Sequence, residues 1–223
     1  MPYRRTENVV RRLAAREQAI LAAATQLAGE AGMGAVQMAD VAAHAGIAAG
    51  TVYRYFPSKT DLIAELVAAV AARELAAMRA AADAAPGPLS ALVASIATLA
   101  ARAQRTRRLF WAVSAEPVEP SIDAPRRDFR QALAGELKAR IAAAIGGGHL
   151  PEQDMDVAAP AIVGALLESL IGPLAPNDDG DAGGRREAVQ TATLLALRAL
   201  GVIDARARGL VAQCVLPEVS PAA

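Results

Sequence analysis

Residues 45–59 read A-G-I-A-A-G-T-V-Y-R-Y-F-P-S-K, and this stretch decides the fold. Gly46 stops one short helical segment, 38–45, and Pro57 stops a second, 49–56. Only Gly46, Ile47 and Ala48 separate them. Two short helices joined by a glycine-containing turn of this length are the outline of a helix-turn-helix. In the second segment the helical period sets Val52 and Phe56 inward, and Gly50, Thr51, Arg54 and Tyr55 outward. The outward set offers a hydroxyl, a guanidinium and a phenol, groups that reach phosphates and base edges. Gly50 costs about 1 kcal/mol inside a helix, and a close approach of the backbone to DNA would explain it. Three of the seven aromatic residues of the chain, Tyr53, Tyr55 and Phe56, fall within this one segment. Ser58 and Asp61 then form a capping box for a long helix. Lys59 opens that helix, where the macrodipole disfavours a cation unless an anion is present.

Working outward, a first helix is expected over 10–31, with Leu13, Ile20, Ala23, Ala24, Leu27 and Ala31 at helical spacing and Gly32 and Gly34 ending it. The long helix reaches about residue 84 and breaks at Pro86-Gly87-Pro88. Further helices are expected over 89–103, 107–115, 124–145, 155–171 and 185–200, the last two flanking a solvated acidic loop at 177–184. No strand alternation and no internal repeat is present. The 223 residues are 54% hydrophobic and 21% charged, with net charge zero. Residues 1–60 carry seven basic groups against four acidic ones, hence +3, the asymmetry of a DNA-binding head on an acidic body. The fold class is all-α: a three-helix head at 12–58, preceded by a basic arm at 1–11, and a helical body at 59–213 with a short tail at 214–223.

The motif at 45–59, with Thr60-Asp61-Leu62 after it, closely resembles the DNA-binding signature of the TetR family of bacterial regulators, roughly A-G-V-S-x-G-T-L-Y-x-H/Y-F-x-S-K-E-x-L. The resemblance covers about residues 12–70. It implies that the helix at 49–56 enters the major groove while 37–46 supports it. Thr51, Tyr53, Tyr55 and Lys59 match positions that contact phosphates or bases. Gln37 matches a Ser/Thr that caps the supporting helix. Three departures stand out. Ala48 replaces the N-cap serine, Ala39 replaces a polar base reader, and Ala49 offers only a methyl. Arg4, Arg5, Arg11 and Arg12 are expected either to add affinity at the minor groove and phosphates or to form a solvated tail.

The resemblance also implies a homodimer paired through the last two helices, with Val163, Leu166, Leu167, Leu170, Val189, Leu194, Leu197 and Leu200 either in that seam or in the intrachain core. It implies a small-molecule pocket in the body as well. Phe110 and Trp111 beside Arg107, with Phe129 and Leu133, are the candidates, unless they simply pack around the single tryptophan. The expected function is a ligand-responsive repressor on a palindromic operator, in the bacterial cytoplasm. The alternative is a helical small-molecule binder with a weakened head. Enzyme chemistry is not expected: His44 and His149 have no nucleophile partner, and no G-x-S-x-G, G-K-[ST] or H-E-x-x-H occurs. No metal or cofactor is expected, and the lone Cys214 reads as an incidental thiol.

Overall fold

Gly46 turns the chain as only a glycine does comfortably. In a computed structural model, which describes residues 3–117, 120–176 and 182–214 (side chains from residue 8, that of Ser121 excepted), Gly46 takes φ 64°. The Gly46 N–H then donates to Ala43 at 3.1 Å and the Ile47 N–H to Ala42 at 2.9 Å. This pair of bonds closes the first motif helix, α2 (Met38–His44), and aims the chain into α3 (Ala49–Tyr55). Upstream lies α1 (Tyr3–Ala31), joined by a 3-10 turn at Met33–Ala35. Ile20 and Ala24 of α1, Val41 of α2, and Val52 and Phe56 from α3 and its end share one buried core with Leu62 and Ile63.

Those last two residues belong to α4 (Lys59–Asp83), which runs from the head into the body. The body adds α5 (Pro88–Arg105), α6 (Arg107–Ser114), α7 (Pro120–Gly146), α8 (Met155–Leu170), α9 (Ala182–Ala199) and α10 (Asp204–Gln213). No strand occurs among the described residues, and none of the described helices is long and apolar enough to cross a membrane. Alanine has two uses here. It favours helix everywhere, and on α5 the buried Ala97, Ala100 and Ala103 let neighbouring helices approach closely. The buried Glu74 ties α4 to α5, accepting from Arg102 through Nε and, at 2.9 Å, through Nη2.

Two elements differ from expectation. The arm expected at 1–11 is helical from Tyr3 and continuous with α1, because no Gly or Pro interrupts residues 3–28. Its Leu13 is half-exposed, since the N-terminal part of α1 runs past the packed head. The ninth helix is also followed by a tenth, α10, which was not expected. Only Ala207 of α10 is buried, so the helix has almost no apolar stripe to read. The side chains of Arg4 and Arg5, most of the acidic loop at 177–184 and the tail from 215 lie outside the described residues.

Candidate nucleic-acid interface and a body cleft

The helix at 49–55 is held by its inner side. Val52 is fully buried and Phe56, its C-cap, nearly so. The outer side presents Ala49, Gly50, Tyr53 and Arg54 to solvent, Tyr53 at 51% exposure. Here the expected outward set is corrected. Tyr55 is half-buried and packs on the core, and Thr51 is half-buried, while Tyr53 joins the exposed face. The reason is angular: three residues fall about 60° short of a full turn, so Tyr55 stands nearer Val52 than Gly50. The Arg54 guanidinium lies 5.7 Å from the centroid of the Tyr55 ring. A Cβ built on Gly50 would meet no protein atom within 4 Å, so nothing in the chain itself requires glycine there.

Both short helices lack side-chain caps. Gln37 sits at the N-cap of α2, but its Nε2 donates back to the Gly34 carbonyl at 2.9 Å. Ala48 caps α3 with backbone alone. The next helix is capped fully. Ser58 Oγ accepts from the Asp61 N–H at 3.1 Å and donates to the Asp61 carboxylate at 2.7 Å. This fixes the start of α4 and sets Lys59, half-buried, on its first turn.

In the body, most expected pocket residues are core. Phe110 and Phe129 pack at 5.6 Å between centroids and, with Leu133, are buried. Arg107 instead donates to the Pro176 carbonyl at 3.0 Å. Trp111 alone reaches a cleft, of about 410 Å³, between α6, α7 and α8. Its polar lining is Arg127, Arg130 and Gln131 on α7 and Glu168 on α8. The sequence reading missed these, although 127, 130, 131 and 134 share the spacing of one helical face. Burial pushes the Arg126 guanidinium below its usual value, while nearby Glu116 and Asp123 act the other way. It donates twice to the Ala112 carbonyl, at 3.1 and 2.7 Å, pinning α7 to α6.

The seam residues proposed for pairing are also committed elsewhere. Val163, Leu166, Leu167, Leu170, Val189, Leu197 and Leu200 are buried within the single chain, and Leu194 is half-buried. Large side chains on α8 and α9 fill the body core. The faces left outside are Val157, Pro160, Ala161, Gly164 and Ala165 on α8 and Thr191, Leu195 and Arg198 on α9.

A clasp joins body to head. Gly32, at φ 89°, leaves room for Arg108, whose Nη2 donates to the Ala31 carbonyl at 2.8 Å and to Glu116 Oε1 at 3.0 Å. Glu116 Oε2 in turn accepts from the Met33 N–H at 2.8 Å. A Cβ at Gly32 would fall 1.8 Å from Arg108 Nη2.

A helix-turn-helix head on an all-helical body, with one long helix shared between them, defines the class of protein. The sequence profile of bacterial regulatory proteins of the tetR family matches residues 20–66, and over that head the chain is similar to the family. It is 49% identical over 53 residues to the HTH-type transcriptional repressor KstR of Rhodococcus jostii, 24% of this chain and 25% of that one. KstR of Mycolicibacterium smegmatis is 50% identical over 48 residues. The match thus spans about a quarter of the length of these relatives. The whole fold is similar to the fatty acid degradation regulator FadR of Bacillus halodurans, with TM-score 0.72, 20% identity, and 84% of this chain and 97% of that one covered. It is similar also to RolR in complex with resorcinol, with TM-score 0.68, 19% identity, and 95% and 100% coverage.

Proposed function

We propose that this protein is a transcriptional repressor that binds a palindromic operator as a homodimer and is released by a small molecule. The observation that carries the reading is the outer face of α3. Gly50, Tyr53 and Arg54 stand exposed on a helix anchored by Val52 and Phe56, with Lys59 on the next helix start. That is a surface shaped for the major groove, with a cation for the adjoining phosphate. Gln37, Thr51 and Tyr55 flank it and complete the proposed contact set.

Dimerisation is assigned to the outer faces of α8 and α9. Small residues on α8 allow close helix approach, and Leu195 at 53% exposure supplies apolar surface. The effector is assigned to the cleft beside Trp111. A volume of about 410 Å³ suits a small molecule, and Arg127, Arg130 and Gln131 on one wall with Glu168 on the other suit one that carries both acceptor and donor groups. RolR, whose fold is similar, is described in complex with resorcinol, which supports a ligand site in such a body. The protein acts in the cytoplasm and needs no cofactor or metal. Footprinting of the DNA upstream of its own gene tests the reading. Protection of two half-sites about one helical turn apart supports it. The alanines at 39, 48 and 49 favour a second reading, a small-molecule binder with a weakened head. Absence of any protected site at low salt would favour that one.

A further inference from the structure

Val9, Arg12, Leu13 and Arg16 fall on one face of α1, in the half of the helix that projects past the packed head. Facing them from the end of α3 are Arg54 and Tyr55. Together these six enclose a cleft of about 240 Å³. Three of the six are arginines, and among the described residues no carboxylate lines the cleft. Arg12, Arg16 and Arg54 have no ion pair among the described residues. Glu17, the next residue after Arg16, does not line it. The remaining lining is Val9 and Leu13, 52% and 48% exposed, and Tyr55.

Three guanidiniums lining one cleft, with no counter-charge among the described residues, call for an anion. Arginine forks match phosphate oxygens bidentately. Aliphatic side chains left half in water beside them match the apolar side of a sugar. A phosphodiester joined to deoxyribose has both features. The cleft also adjoins Arg54, which belongs to the exposed face of α3. We propose that this cleft seats the sugar-phosphate backbone of a DNA duplex beside the groove entered by α3. Arg12 and Arg16 of α1 are then phosphate ligands. The proposal rests on the DNA-binding reading above and adds to it a site on α1. It joins Arg12, one of the four arginines expected at phosphates or in a solvated tail, to Arg16 and Arg54 in one cleft.

The experiment uses the full chain, a fluorescein-labelled mixed-sequence 30-base-pair duplex, and anisotropy titrations across a salt series. Non-specific binding suffices, so no operator need be known. The double variant Arg12→Ala/Arg16→Ala is compared with wild type and with Arg186→Ala, which removes an exposed charge on α9. Losing two phosphate contacts lowers the slope of log K against log salt by about 1.8. That loss, restored in Arg12→Lys/Arg16→Lys and absent in Arg186→Ala, is the expected result. Matching helical circular dichroism shows that the variants fold, and Arg12→Gln and Arg16→Gln singly replace the double variant if it does not. A wild-type slope in the variants overturns the site. So does stabilisation of wild type, but not of the variant, by inorganic phosphate with the DNA slope unchanged, which would make the cleft a free-anion site. A wild type that binds no duplex at all overturns the DNA-binding reading itself, and is distinguishable from both.

Discussion

Ala48 leaves the first-turn N–H groups of the recognition helix without a side-chain acceptor. Replacing it with serine, Ala48→Ser, is expected to stabilise the protein by about 0.5–2 kcal/mol, read as a raised denaturation midpoint. An unchanged or lowered midpoint would mean that the N-cap geometry is not what the backbone indicates. A second residue carries a pH dependence. Burial pushes the Glu136 carboxyl upward, but hydrogen bonds from Arg79 at 2.8 Å and Arg140 at 2.9 Å outweigh it and hold the group below its ordinary value. A carboxyl lowered in the folded state stabilises above its unfolded value, and that stabilisation is lost as pH falls through the folded one. Glu136→Gln is therefore expected to cost roughly 1–3 kcal/mol at neutral pH, with the cost shrinking below the usual carboxylate range. Denaturant titrations at pH 7 and pH 3 measure it, and an equal cost at both would contradict the assignment. Arg79 is more than half exposed, so the lower end of that range is the expectation.

At the scale of elements, α8 separates its large residues from its small ones. Leu166, Leu167 and Leu170 turn into the body, while Ala161, Gly164 and Ala165 face out. A bulky charge on the outer face, Ala165→Arg, is expected to convert the proposed dimer to monomers while leaving helicity intact. Light scattering reads this directly, and a variant that keeps twice the chain mass would move the seam elsewhere. The same separation favours the intrachain core over the seam for the residues whose spacing left both open. Periodicity finds which residues prefer burial, and in this chain those residues are already buried by its own helices. The motif at 45–59 was legible because its signals are local: a positive-φ glycine, a proline stop and a capping box. Arg12 was legible as one of four basic residues open to phosphate contact or to a solvated tail, and the cleft beside Trp111 was legible only in part. Both sites are enclosed between elements, α1 with α3 and α6 with α7 and α8, and no single helix's pattern holds them. The residues chosen for the pocket, Phe110, Phe129 and Leu133, were large apolar groups, and such groups fill a core before they line a cavity. The start of α1 was set too late for a related reason: apolar spacing reports burial, and the first turns of that helix bury little.

Across the whole molecule, α6 borders both the body cleft and the head. Trp111 stands in the cleft wall, and Arg108, one turn earlier, holds the end of α1 together with Glu116. A ligand that moves α6 would change the seating of α1, and by reciprocity DNA bound at the head would be felt at the cleft. The single tryptophan reports this. Saturating duplex is expected to shift Trp111 emission in wild type, and Glu116→Ala is expected to reduce the shift while leaving the proposed DNA contacts in place. A shift of full size in that variant would assign the coupling to another path. The central claim, that the head reads DNA for a two-fold dimer, is tested most directly by selecting bound duplexes from a random pool. Enrichment of an inverted repeat with half-site centres about 10 base pairs apart, or a multiple of that spacing, is the predicted result. A pool that stays random after repeated rounds, or that converges on a single unpaired half-site, would contradict it.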